Sequence, residues 1–485
     1  MGNTTATVAG VLLTAGLALP ACSGGSSARL DREAADVQRL LTSPPASVGR
    51  DRDRVALWKT MRTAYRARQN RPMWTDDGSP TRGLDELLVA LREADSHGLD
   101  PERYGLDRLQ TVRARAHKRF RPDVVEDDAI ARLDVDATWA WTRYAADLSA
   151  GAADVEGPAD KLWRLRRQKI DFAKRLAESL DRQSIGEDLR AFAPQHPEYG
   201  RLREAYARYK QNAMNEAAGK QVRQIELNLE RWRWLPRDLG DRYILVNVPD
   251  FELEVHDAGQ IPLSMKVVVG AKSTPTPVFS DTMTHVVFSP YWNVPDGIAE
   301  GETLPAVQAD PAFLERNGIE VVDTSGQKVD VEEIDWTSFS AEEGTLPYRF
   351  RQRPGSTNSL GLVKFIFPNE YDVYLHDTPA DALFKRKFRA LSHGCVRVEQ
   401  PQALAEYLLK DQPEWTSDRI KEAMHAGEEK HVKLTRPIAV HLTYWTVRAD
   451  EDGTVQFRDD VYNRDARALA QLASAVRTSR PRAGG

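Results

Sequence analysis

Tyr374-Leu-His376-Asp-Thr-Pro379 and, a little further on, Leu391-Ser-His-Gly-Cys-Val-Arg-Val398 place a single cysteine between two candidate bases. A thiol with an ordinary pKa of about 8.5 is mostly protonated at neutral pH, so a working nucleophile needs a neighbouring imidazole or donors that favour the thiolate. His376 is the candidate base. It closes a strand-like run and lies 19 residues before Cys395, so a hairpin or crossover can bring both to one sheet edge. The turn Ser392-His393-Gly394-Cys395 suits the second need, because Gly394 permits close backbone approach and consecutive N–H groups can form an oxyanion hole. Ser392 is the candidate to hold the His376 tautomer, and Arg397 can bind a carboxylate with two parallel hydrogen bonds. A free cysteine is also often a small buried hydrophobe. The upstream histidine and the Ser-His-Gly turn favour the nucleophile.

Outward from this pair the residues read as strands. Tyr243–Val248, Leu263–Val269, His285–Phe288, Leu362–Phe367, Tyr371–Leu375 and Ile438–Trp445 are β-branched or aromatic runs punctuated by Gly, Pro, Asn and Asp. The β-rich part spans about 241–450, and the helix that leads into it, with Ile225, Leu229 and Trp232 at helical spacing before Pro236, puts the catalytic domain at 221–450. Within it, 297–360 mixes acidic residues with Trp336, Phe339 and Tyr348; a loop this long in a compact domain is expected to be a lid or subdomain. Residues 51–220 carry helical periodicity, for example Leu84, Leu87, Leu88 and Leu91 followed by Gly98. The expected class is α+β multi-domain, a helical scaffold domain followed by a β-rich catalytic domain with an inserted cap. Residues 451–485 form a C-terminal extension.

The first 22 residues hold an uncharged apolar stretch from Ala6 to Leu19, too short for a bilayer span of about 20 residues and suited to a signal peptide. It ends Leu19-Pro-Ala-Cys22 before Ser and Gly, which resembles a bacterial lipobox and makes Cys22 the candidate lipidated residue. No Lys or Arg precedes the apolar run, unlike the usual leader. The expected location is the periplasmic cell envelope, with a membrane anchor at the N-terminus and residues 23–50 as a linker. Lys+Arg 67 against Asp+Glu 72 lacks the basic excess of a nucleic-acid binder. Cys22 and Cys395 are the two cysteines, too few for a disulfide framework or a cysteine zinc site within one chain.

The motif His376, fifteen intervening residues, then Ser392-His393-Gly394-Cys395-Val396-Arg397 resembles that of the L,D-transpeptidase family, YkuD type. Asn228-Leu-Glu-Arg231, Trp292-Asn-Val-Pro295, Arg353-Pro-Gly355, Asn358, Lys364-Phe365 and Phe367-Pro-Asn369 are similar to the larger YcbB-like members, over about 222–402. The resemblance implies cysteine-dependent acyl transfer on peptidoglycan stem peptides: Cys395 attacks the third stem residue, the terminal D-Ala leaves, and an acceptor side-chain amine resolves the thioester to a 3-3 cross-link. His376 is then the base, Gly394 an oxyanion backbone donor, His393 a secondary member, and Asn358, Lys364, Tyr374 and Arg397 substrate contacts. No cofactor or metal is implied, and carbapenems are expected to acylate the same cysteine. A peptidoglycan-binding module usual in the larger type has no convincing copy between Gly151 and Gln221.

Hydrolysis in place of transfer, by an L,D-carboxypeptidase or cysteine endopeptidase, is the related alternative; a catalytically inert wall-binding scaffold is the non-enzyme one. Gly270-Ala-Lys-Ser273 is similar to a phosphate loop but lacks the earlier glycine. The basic stretch 161–169 reads as a solvated helix face rather than an anion site.

Overall fold

A computed structural model describes residues 24–44, 48–49, 51–76, 79–118, 127–153, 162–163, 169–339 and 346–477. The expected signal segment with Cys22, and most of the basic stretch 161–169, lie outside the described residues. Among the described residues no helix is long and apolar enough to cross a membrane. The chain divides into two compact units, one of residues 1–89, 105–142 and 171–186, the other of 90–104, 143–170 and 187–485.

The first unit is helical, with α1 (Gly24–Thr42), α2 (Arg52–Ala67) and α3 (Arg82–Glu93). Residues 24–42 were expected to be linker and are instead a helix. Glu33, Val37 and Leu41 recur every four residues and are all buried, so one face of an otherwise polar segment packs. Helix α2 starts where the Asp51 carboxylate accepts the Arg54 N–H at 2.9 Å, the usual answer to orphaned first-turn donors. Asp134, on the long helix α4 (Asp127–Ala150), organises the interior. Fully buried, it accepts the N–H groups of Met73 and Trp74 and the Tyr65 hydroxyl at 2.6 Å. Three donors offset the cost of burying a carboxylate, although desolvation still pushes its pKa up to about 6.

The second unit carries helices α5 (Pro197–Gln211) and α6 (Glu216–Arg233) and the catalytic sheet. Glu230 and Arg233, both without solvent exposure, pair at 2.5 Å, and Glu230 Oε1 accepts the N–H groups of Ala152 and Ala153. The sheet strands are β1 (Arg242–Asn247), β2 (Glu252–Asp257), β3 (Gln260–Gly270) and β4 (Phe279–Phe288). After the cap strands β5 (Trp292–Asn293), β6 (Ile319–Val322) and β7 (Arg349–Gln352) come β8 (Val363–Ile366), β9 (Leu375–His376), β10 (Ala390–Ser392), β11 (Val396–Val398) and β12 (Lys430–Thr443). The nine-stranded order is β10-β3-β11-β9-β8-β4-β12-β1-β2, and β2 also pairs with β3, so the sheet closes on itself. Closure removes the exposed edges that a half-buried antiparallel sheet would otherwise present. Val267, Val269, Val286, Phe365, Leu375 and Val396 all enter its single apolar core.

The insertion expected at 297–360 is a subdomain: β5, β7 and β6 form a separate three-stranded sheet around Val294, Leu304, Val307, Val321, Trp336 and Phe350. The C-terminal extension docks on the catalytic unit. Ala468 and Leu472 of its helix join the main core, and Arg231 pairs with Asp465 at 2.7 Å.

Candidate active site

The parallel ladder between β9 and β11 sets Leu375 opposite Val396 and His376 opposite Arg397. Side chains alternate along a strand, so Leu375 and Val396 enter the core while Tyr374, His376, Cys395 and Arg397 share the other face. The Val396 N–H donates to the Tyr374 carbonyl at 3.2 Å, which brings Cys395 level with Tyr374 and diagonal to His376. Diagonal positions in paired strands lie about 7–8 Å apart, within reach of an imidazole.

Cys395 is half-buried. Its sulfur has the Asp372 carbonyl as an acceptor at 3.9 Å, and Tyr374 donates toward it from both backbone and hydroxyl. Desolvation pushes the thiol up to about 11, against the pull of Tyr374 and Arg397. His376 is buried, and Nδ1 lies 2.5 Å from the Asp377 carbonyl. A carbonyl can only accept, so Nδ1 carries the proton and Nε2 is left with the lone pair a base requires. Desolvation and the Arg397 cation push this imidazole down to about 3, although the Asp377 and Leu360 carbonyls oppose the shift. The resting pair is therefore a neutral thiol and a neutral imidazole. Burial of both groups is the reason.

The expectation that Ser392 holds the His376 tautomer is corrected. Its hydroxyl donates to the Cys395 carbonyl at 2.6 Å and accepts the Gly394 N–H at 3.1 Å, so it fixes the turn, and Asp377 holds the imidazole. Gly394, at φ +120°, adopts a conformation that side chains disfavour. Because its N–H is engaged by Ser392, it is not the oxyanion donor expected; the Cys395 N–H, without a partner among the described residues, is the remaining candidate. The His393 imidazole bonds Glu302 of the cap at 2.7 Å, and both side chains are exposed.

Of the expected substrate contacts, Asn358 is fully buried and donates to the carbonyls of Pro290 and Arg353 while accepting the Leu360 N–H. It shapes the cap base and has no surface to offer a substrate. Lys364 stands opposite His376 on the β8–β9 ladder, 3.6 Å from Glu429 and 3.4 Å from the Tyr291 carbonyl; burial lowers its pKa. Tyr374 lies beside the sulfur, and the Trp292 indole of the cap donates to its hydroxyl. Arg397 has an Nε that is buried without a hydrogen-bond partner.

Three supporting residues were not foreseen. Thr276 donates to the Gly394 carbonyl at 2.8 Å and accepts the Gly270 N–H at 2.8 Å. Thr274 donates to the Ser392 carbonyl at 3.0 Å. Tyr462, from the C-terminal extension, donates to the Gly270 carbonyl at 2.7 Å and accepts the Thr276 N–H at 3.2 Å. A Cβ on Gly270 would lie 2.2 Å from the Thr274 carbonyl oxygen, which explains the glycine that opens the loop-like Gly270–Ser273 stretch: it braces the nucleophile turn. Among the described residues no cluster of His, Cys, Asp or Glu has the arrangement to hold a metal ion. A thiol with a proton acceptor on the same face and a free N–H at its own backbone can attack a carbonyl and form a thioester.

Residues 59–205 match the scaffold-domain family, and residues 241–420 match the L,D-transpeptidase catalytic-domain family YkuD. A Haemophilus influenzae protein named "Putative L,D-transpeptidase" is 35% identical over 244 residues, covering 50% of this chain and 48% of that protein, so the chain spans about half the length of this relative. Two solved structures align in part: the avibactam carbamoyl enzyme of Ldtfm, at 14% identity and TM-score 0.20, covering 43% of this chain and 50% of the other, and an L,D-transpeptidase from Mycobacterium smegmatis, at 15% identity and TM-score 0.19, covering 41% and 58%. At those scores the alignments carry no argument. The two family matches and the curated relative do: residues 241–420 are an L,D-transpeptidase catalytic domain of the YkuD family behind a scaffold domain at 59–205, an order that fits the YcbB-like type.

Proposed function

We propose that this chain is a peptidoglycan L,D-transpeptidase that forms 3-3 cross-links through a thioester on Cys395. The supporting observation is the shared face of β9 and β11, which carries the Cys395 thiol, the Tyr374 hydroxyl that donates to it, and the basic tautomer of His376 on the diagonal position. Sγ attacks the carbonyl of the third residue of a tetrapeptide stem. The S–C bond forms, the amide C–N bond breaks, and the thiol proton passes through His376 Nε2 to the amine of the leaving D-amino acid. The side-chain amine of a second stem then attacks the thioester, the S–C bond breaks, and the sulfur is reprotonated. Tyr374 stabilises negative charge on sulfur during both steps, and the Cys395 N–H stabilises the oxyanion. Because both resting groups are neutral, proton transfer occurs with attack rather than before it.

The cap, joined to the turn through Glu302–His393 and to Tyr374 through Trp292, slows hydrolysis by restricting water. β-Lactams of the carbapenem class, which offer a similar carbonyl, acylate the same sulfur. The export signal and Cys22 lipobox make the site of action the periplasmic envelope, with a lipid anchor holding the protein to a membrane. Incubating the purified protein with tetrapeptide muropeptides and weighing the products tests the reading: 3-3 dimers support it, trimmed tripeptides alone replace it with a carboxypeptidase, and unchanged substrate removes it.

A further inference from the structure

The connection from His376 to Ser392 is basic and carries an exposed aromatic ring. Between Pro379 and Ser392 stands one acid, Asp381, against four bases, Lys385, Arg386, Lys387 and Arg389, in a chain whose formal net charge is -5. Both ends of the basic run are fastened. Phe384, in the 3-10 turn Asp381–Lys385, is buried, and the buried Arg389 donates to the carbonyls of Val267, Phe251 and Arg386. Between these anchors Lys385, Arg386, Lys387 and Phe388 are exposed in succession. A strand would turn every second side chain inward; here Arg389 closes the segment on the carbonyl three residues back, and all four project. Lys385, Arg386 and Lys387 have no side-chain hydrogen bond or ion pair among the described residues. The carboxylates behind the loop are engaged elsewhere: Glu399 pairs with Lys266 at 3.3 Å, and Glu252 and Glu399 act on Arg389. Phe388 is 46% exposed, with its ring against Phe251 at 5.6 Å between centroids. The other large apolar side chains exposed among the described residues, Val89, Met214 and Ile261, have no cation next to them in sequence. A solvated face accounts for three cations but not for a half-exposed phenyl ring set among them, which water disfavours.

We infer that residues 385–388 form a membrane-contact loop, in which Lys385, Arg386 and Lys387 meet anionic lipid headgroups and Phe388 enters the boundary of the acyl chains. Charge complementarity selects an anionic partner. The ring selects a lipid surface over a hydrated polyanion, which has no apolar layer to receive it. The loop also bears on the active site. Cys395 is seven residues past Phe388, at most about 25 Å along the chain, so a seated loop holds the nucleophile turn close to the bilayer surface. The inference does not depend on the reaction proposed above.

The test is flotation of the full chain with two sets of vesicles, phosphatidylcholine alone and phosphatidylcholine with about 30% phosphatidylglycerol. Any contribution of the apolar N-terminus is common to both, so the ratio of the two partition coefficients is the readout. Three cations near an anionic leaflet are expected to give the wild type a preference of about 100-fold for the anionic vesicles, falling as salt is raised. Changing Lys385→Gln, Arg386→Gln and Lys387→Gln together is expected to remove that preference. Phe388→Ala is expected to weaken binding to the anionic vesicles about tenfold, and Phe388→Trp to restore it. All four side chains are exposed, so the melting temperatures of the variants stay with the wild type. Equal partition of the wild type onto both vesicles would overturn the inference, as would a preference that survives in the triple variant. Binding that is lost in the triple variant, unchanged in Phe388→Ala and displaced by inorganic polyphosphate would also overturn it, because it marks a soluble polyanion as the partner.

Discussion

His376 stands opposite Arg397 on one side and Lys364 on the other, so the imidazole is flanked by cations across three adjacent strands. Burial, with the Arg397 cation, holds this imidazole unprotonated.

A neutral resting pair has a pH signature. If Cys395 titrates near 11 and His376 near 3, the thiolate fraction of the free enzyme rises steadily with pH and has no plateau in the neutral range. The second-order rate of inactivation by iodoacetamide should climb about tenfold per pH unit from 7 to 9, without an inflection between 5 and 8. A plateau beginning near pH 6 or 7 would instead reveal a preformed thiolate–imidazolium pair. The sign for stability follows the same shifts. A histidine lowered from 6.5 to about 3 leaves the unfolded chain binding the extra proton in that interval, so its contribution destabilises the fold as pH falls from 6.5 toward 3 and is absent above.

The two histidines of the motif separate by mutation. His376 holds the basic tautomer on the thiol face, whereas His393 is exposed and engaged by Glu302. His376→Ala should lower kcat by about 10²- to 10⁴-fold, the usual worth of a positioned base. Exposed ion pairs contribute about 0–1 kcal/mol, so Glu302→Gln should leave melting nearly unchanged and act, if at all, on the ratio of hydrolysis to transfer. Steady-state kinetics and product masses check both.

The brace behind the nucleophile turn gives a different kind of prediction. Thr276→Val leaves the Gly394 carbonyl and Gly270 N–H without their shared partner, a cost of about 1–3 kcal/mol for buried groups. Acylation should slow about tenfold, as expected when a nucleophile is misplaced by a fraction of an ångström, and Thr276→Ser should restore it. Tyr462→Phe should weaken thermal stability by about 1 kcal/mol and slow acylation in the same direction. Full activity in Thr276→Val would mean that the turn holds itself.

In the first unit, Asp134→Ala strands the donors of Met73, Trp74 and Tyr65 and should lower unfolding stability by about 2–4 kcal/mol, since each orphaned buried group costs on the order of 1–3 kcal/mol and the groups relax together. Urea unfolding followed by tryptophan fluorescence measures it, Trp74 being one reporter in the affected layer.

The thiol and imidazole of the shared face were legible because the chemistry proposed for them needs particular residue types a short loop apart, and the strands because β-branched runs alternate with turn residues. Helix α1 was obscured by the Ser and Gly at its start, although Glu33, Val37 and Leu41 already kept helical spacing. The roles of Ser392 and Asn358 were not legible, because a polar side chain beside a motif looks the same in sequence whether it faces substrate or bonds its own backbone. Thr276 and Tyr462 were hidden by distance. Tyr462 is 192 residues from the Gly270 carbonyl it bonds, and only closure of the sheet and docking of the C-terminal segment bring them together. The charge states were hidden too, since burial and not residue type sets them.

The most direct measurement is the mass and location of the covalent intermediate when the full chain meets a tetrapeptide stem. The account predicts a transient adduct equal to the stem without its terminal D-amino acid, mapped to Cys395, absent in Cys395→Ala and discharged by an amine-bearing acceptor. An adduct on another residue, or turnover that persists in Cys395→Ala, would contradict it.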